Sequence, residues 1–157
     1  MLALNSSAFA KVAHKSLVYV DRGIVVLNKP PGVISQVQGT TRSKDGNFLE
    51  VLQNLQSNLE LDQLPLSVHR LDKSTTGTLV LARTPQMARD LAQQFQHRKI
   101  VKTYLALVIG EKRSFDKLSG IIDAKILYRN GRPVKGFTGS GIPSMTSWEV
   151  VAASHSR

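Results

Sequence analysis

Cysteine is absent from the 157 residues. No disulfide, thiolate zinc site or cysteine nucleophile is available, and the redox compartment stays open. Acid is scarce: 11 Asp and Glu face 21 Lys and Arg, a net charge of +10. No apolar run approaches the roughly 20 residues of a membrane-spanning helix, so no membrane partner is expected. Several signatures are also missing. No GxGxxG follows a strand and no GxxxxGK[ST] occurs, which leaves dinucleotide and P-loop phosphate sites unsupported. There is no GxSxG elbow, and His14, His69, His97 and His155 lack metal-ligand spacing.

The length suits one domain with a real core, and an apolar content of 41% separates the chain from a disordered tail. The positive charge is uneven. Residues 69–136 hold 14 Lys and Arg against 5 Asp and Glu, so +9 of the +10 lies there. Such a concentration attracts polyanions, nucleic acid first, although a basic surface with no dedicated partner has the same composition. The first 16 residues carry Ser6, Ser7, Lys11 and Lys15 and no acid. They read as an N-terminal extension, disordered or targeting, faintly like an organelle transit peptide but without arginine. The compartment stays open between cytoplasm and mitochondrion.

Short β-branched runs at 17–20 and 24–28, separated by Asp21-Arg22-Gly23, predict a hairpin. Lys29-Pro30-Pro31-Gly32 must then leave the strand, because proline cannot donate to a ladder. Residues 35–46 are polar and predict a loop. Asn47 with Glu50 resembles a capping box, opening a helix with Phe48, Leu52, Leu55 and Leu59 inward. Thr78–Ala82 reads as a buried strand. Thr84 then caps a helix that begins at Pro85, with Met87, Ala88, Leu91, Ala92 and Phe95 on one face. The alternation from Val101 to Ile109 predicts a strand with Val101, Thr103, Leu105, Leu107 and Ile109 on one face; Lys102, Tyr104, Ala106 and Val108 take the other. A strand at 120–128 turned by Asn130-Gly131, and a last one around 148–151, complete the expectation. The fold class is α+β, with a mixed, largely antiparallel sheet and flanking helices.

One carboxylate stands out. In VHRLDKSTTG, residues 68–77, Asp72 lies on a loop between a His-Arg pair and a Lys, just before a buried strand. Cations beside a carboxylate favour its ionised form, which suits a base or nucleophile. A plain turn cap, or an ion pair with Arg70, explains the local pattern equally well.

His69 to Gly77 resembles the HRLDxxTSG signature of RluA-like pseudouridine synthases, enzymes that isomerise uridine within RNA. Val26 to Gly32 resembles that family's NKPxG motif, and Leu79 to Thr84 its LLLLAKT strand. Gln94-Phe95 through Lys102-Thr103-Tyr104-Leu105-Ala106 resembles its FxxRxVxKxYxA segment. The four motifs occur in order, matching residues 17–110 well and thinning towards 152. The resemblance implies that Asp72 is catalytic and that Tyr104 packs against the target base. It implies that Arg70 flips or holds the RNA, and Thr76 and Lys102 join these as substrate-binding expectations. Asn28, Lys29, Pro30, Gly32 and Gly77 are implied to support the catalytic loop.

The implied partner is rRNA or tRNA, met by a monomer with no metal and no other cofactor. The family's TGRxHQIR-like motif, whose basic residue pairs with the catalytic aspartate, has no match here. Residues 17–157 are therefore expected to be a C-terminally incomplete catalytic domain. An RNA pseudouridine synthase is the leading expectation, and a non-catalytic RNA-binding protein on the same scaffold is the alternative.

Overall fold

The structure is a computed structural model that describes residues 6–11, 13–35, 48–110, 117–129, 132–136 and 140–154. Asn47, the polar stretch 36–46 and the Asn130-Gly131 turn lie outside these residues. The chain separates into two units, Met1–Thr103 and Tyr104–Arg157.

The first unit is built on a four-stranded antiparallel sheet. Its strands are β1 (Leu17–Val20), β2 (Ile24–Lys29), β3 (Leu66–Ser67) and β4 (Gly77–Ala82), in the order β1-β2-β4-β3. The predicted hairpin is present. Its turn is closed by the Asp21 carboxylate, which accepts from the Gly23 and Ile24 N–H groups at 2.7 and 2.8 Å. Those two N–H groups, with the Tyr19 hydroxyl, hold the Asp21 carboxyl below its ordinary value.

Period-two alternation puts Val25 and Leu27 of β2, and Leu79 and Leu81 of β4, on one buried face. Helix α2 (Phe48–Asn58) covers that face with Phe48, Val51, Leu52 and Leu55. Helix α1 (Ser6–Ala10) and a 3₁₀ turn (Ala13–Ser16) add Phe9, Ala10 and Ala13 to the same core. The segment read from sequence as an extension thus contributes three buried residues.

Helix α3 (Pro85–Gln96) starts where its cap predicts. The Thr84 hydroxyl accepts from the Met87 N–H at 3.1 Å, and Pro85 takes the first helical position. Its apolar face is only half-buried, and Ala92 is exposed. Phe95 finds a partner in His69, ring centroids 4.9 Å apart.

The second unit is a three-stranded antiparallel sheet of β5 (Ser119–Arg129), β6 (Arg132–Lys135) and β7 (Ile142–Glu149), in the order β6-β5-β7. Strand β7 begins and ends earlier than the expected strand around 148–151, because the ladder with β5 runs from Ile142 opposite Ile126 to Glu149 opposite Ser119. Trp148 lies over Gly120, where a Cβ would meet the indole at 3.0 Å.

The strand predicted at Val101–Ile109 is not formed. Residues 101–110 belong to no ladder, and Val101, Leu105, Leu107 and Ile109, expected to share one face of a strand, are 91%, 90%, 98% and 100% exposed. Alternating side chains specify a strand only where a neighbouring strand and a covering layer exist to use them. Among the described residues neither reaches this segment. Both sheets are antiparallel and the helices are few, so the fold is α+β.

Candidate active site

The site begins at the end of β2. Val25, Leu27 and Lys29 share one face, so the strand carries a lysine into the core where its period calls for an apolar side chain. Lys29 is fully buried. Its ammonium has three protons and three carbonyl acceptors: Val33 at 2.8 Å, Pro30 at 3.1 Å and Lys73 at 3.4 Å. Two of these acceptors belong to the turn that leaves β2, and the third is the residue after Asp72. Burial pushes the ammonium below its ordinary value, and the Asp72 carboxylate pulls the other way.

Gly32 makes the close approach possible. Its φ of 87° is in the left-handed region, and its N–H donates to the Lys73 carbonyl at 2.7 Å. Beyond it, alternation resumes: Val33 and Ser35 are buried and Ile34 is half-buried. The Ser35 hydroxyl accepts from the Leu71 N–H at 2.9 Å and donates to the Leu71 carbonyl at 2.6 Å.

Segment 29–35 therefore grips the chain on both sides of Asp72, at Leu71 and at Lys73. The Asp72 carbonyl itself accepts from the Thr75 N–H at 3.0 Å, closing a turn. Gly77, with φ of 114°, ends the loop and pairs with Lys29 in the ladder, while Asn28 pairs with Thr78. Asp72 is 79% exposed on this mount, and Arg70 Nη2 stands 3.8 Å from its Oδ1, with Arg70 itself 59% exposed. An ion pair so wet holds neither partner firmly. Thr76 and Lys102 are also exposed.

His69 joins the loop to the sheet. The β3–β4 ladder stops at Ser67 opposite Leu81, and the next inward amide, Val80 N–H, donates to His69 Nε2 at 2.9 Å. The imidazole thus replaces a strand carbonyl. An Nε2 that accepts is unprotonated, so the ring proton is assigned to Nδ1. Burial pushes His69 below its ordinary value, the Arg70 backbone opposes that shift, and the Lys102 ammonium adds to it.

These contacts bring Asp72, Arg70, Lys29, Gly32 and Gly77 together in the first unit, and Thr76 lies on the same loop. Tyr104 falls in the second unit and is 59% exposed. A shallow apolar hollow on the β5–β7 sheet, lined by Ile121, Ile122, Ile126 and Val134 among others, contains none of the expected site residues. No cluster of His, Asp or Glu that could hold a metal ion occurs among the described residues.

The profile of the RNA pseudouridylate synthases matches residues 23–154. The chain belongs to this family. Among relatives, it is 33% identical over 139 residues to the ribosomal large subunit pseudouridine synthase D of Nitrosomonas europaea, covering 80% of this chain and 38% of that protein. It is 32% identical over 137 residues to the dual-specificity RNA pseudouridine synthase RluA of Escherichia coli K12, covering 86% and 58%. Among solved structures, human RNA pseudouridylate synthase domain containing 4 superposes with a TM-score of 0.72 at 26% identity, over 95% of this chain and 58% of that one. The chain spans less than two thirds of the length of each.

The family match extends the motif resemblance from residue 110 to 154. Two contacts in this pseudouridylate synthase fold escaped the sequence reading. Ser35 begins the polar run read as a loop, and nothing in Val33-Ile34-Ser35 marks its hydroxyl as buried. His69 lies within the HRLD motif and lacks metal-ligand spacing, and nothing in the sequence announces its pairing with Val80.

Proposed function

We propose that the chain carries the reactive centre of an RNA pseudouridine synthase acting on a uridine in rRNA or tRNA, as a monomer and without a metal or other cofactor. The observation that supports this best is the mounting of Asp72: an exposed carboxylate at the first residue of a turn, its chain anchored on both sides by a buried lysine, a glycine and a serine.

The chemistry needs one such group. The N1–C1′ bond breaks, uracil turns, C5 bonds to C1′, the C5 proton leaves and N1 gains a proton. Asp72 either attacks C1′ or removes the 2′ proton, and uracil can depart as a stabilised anion without a second carboxylate. A uridine inside folded RNA must be extruded first. In this reading Arg70, Thr76 and Lys102 hold the extruded nucleotide and its backbone, and Tyr104 offers the base an aromatic face.

Incubation with [5-³H]uridine-labelled rRNA or tRNA tests the reading, because forming the C5 bond releases tritium to water. We expect release by the wild type and none by Asp72→Ala, with RNA affinity kept in both. A protein that binds RNA but releases no tritium is a non-catalytic binder. Binding that is insensitive to salt would count against both readings, since phosphate contacts carry a steep salt dependence.

A further inference from the structure

We propose that Ser35 is a positioning residue for Asp72; the proposal rests on Asp72 being the reactive carboxylate. A hydroxyl in this place needs a reason, because Ser35 is 2% exposed in a core otherwise lined by Val33, Leu71, Leu27 and their neighbours. The reason lies in the backbone it faces. Leu71 buries its side chain but falls between two ladders, since β3 stops at Ser67 and β4 starts at Gly77. Its N–H and C=O are therefore buried without a strand beside them, and such groups must find partners. One hydroxyl, with one proton to give and lone pairs to receive, serves both, at 2.6 and 2.9 Å.

The consequence falls on the next residue. A chain's direction is set by the rotation between successive planar peptide units. The unit before Leu71 is held through its N–H by Ser35, and the unit after Leu71 through its C=O by the same hydroxyl. The unit after Asp72 is held by Thr75, and the one after Lys73 by Gly32 and Lys29. Four consecutive peptide planes are fixed, and φ and ψ of Asp72 lie between the middle two. Ser35 fixes two of the four. Its removal frees the plane that sets φ of Asp72, while the surface that meets RNA is unchanged.

Ser35→Ala is compared with Ser35→Thr, which keeps the hydroxyl, in the full chain with the tritium-release assay. Because a displacement of about 1 Å at a reacting group costs on the order of 100-fold, kcat is expected to fall roughly 10- to 100-fold in Ser35→Ala, with KM for RNA unchanged. Ser35→Thr is expected to recover most of the loss. Should Ser35→Ala fail to fold, Ser35→Cys carries the measurement, its weaker hydrogen bonds giving an intermediate kcat. Amide exchange is read in parallel. Thr75 and Gly32 should exchange about tenfold faster in Ser35→Ala while the β2–β4 amides keep their protection. An unchanged kcat, a change in KM alone, or unchanged exchange at Thr75 overturns the proposal. If the wild type releases no tritium, the proposed activity fails, and exchange at Thr75 and Gly32 still decides whether Ser35 holds the Asp72 turn.

Discussion

Lys29 and His69 each occupy a position that only a polar partner makes tolerable. A buried ammonium costs free energy unless every proton is used, and Lys29 uses all three on carbonyls from two loops. A leucine there would fill the space and leave the two loops untied. His69 is the pH-sensitive member of the pair. Its imidazole accepts from Val80 N–H only while Nε2 is unprotonated, and burial holds it below its ordinary value of 6.5. The unfolded chain therefore takes up the proton first as pH falls. The stabilisation is complete above about pH 6.5 and is lost as pH drops towards the lower folded value. Urea unfolding at pH 7.5 and 5.5 should show lower stability at the acid pH. His69→Gln, which keeps an acceptor and does not titrate, should lose part of that dependence. Equal pH slopes for the two proteins would refute the assignment.

At the scale of the element, turn chemistry and caps act as the sequence predicts, and an unpartnered strand does not. Asp21 closes the β1–β2 turn and Thr84 caps α3, both through bonds within three residues, so each is independent of the rest of the fold. Gly77 is different, because its φ of 114° is required where the Asp72 loop enters β4. A Cβ there would meet nothing within 4 Å. Gly77→Ala should therefore cost about 1–3 kcal/mol through backbone strain alone. Thermal unfolding should show this as a lowered Tm, and an unchanged Tm would mean that the loop relaxes freely. Residues 101–109 have a strand's alternation and no strand, since the pattern states which side chains share a face and cannot supply the ladder or the layer.

The two units differ in how they are stabilised. Every buried apolar residue among those described lies at or before Ala82, so the first unit holds the core. Among the described residues, the β5–β7 sheet exposes Ile121, Ile122, Met145 and Ile142 and is held by its ladder and by Trp148 over Gly120. Ladder hydrogen bonds without a covering layer open easily. Amides of β5 and β7 should exchange at least tenfold faster than those of β2 and β4 in the same sample, with hydrogen exchange by mass spectrometry as the measurement. Equal protection would show that the second sheet is covered in solution.

Local and ordered features were legible in the sequence: the hairpin, the capped α3, the α+β class, and the family through four motifs whose order and spacing lie along the chain. These depend on neighbours within a few residues or on linear order, so the sequence alone determined them. The grip on Asp72 was decided by tertiary structure. Ser35 and Leu71 are 36 residues apart, and Lys29 and Lys73 are 44 apart. No periodicity relates such positions, because a side chain that satisfies a distant backbone group answers to the geometry of that group and leaves no pattern beside itself. Tertiary structure also withheld the strand at 101–109. Its backbone partners must come from another strand, and a segment's own residues cannot provide them.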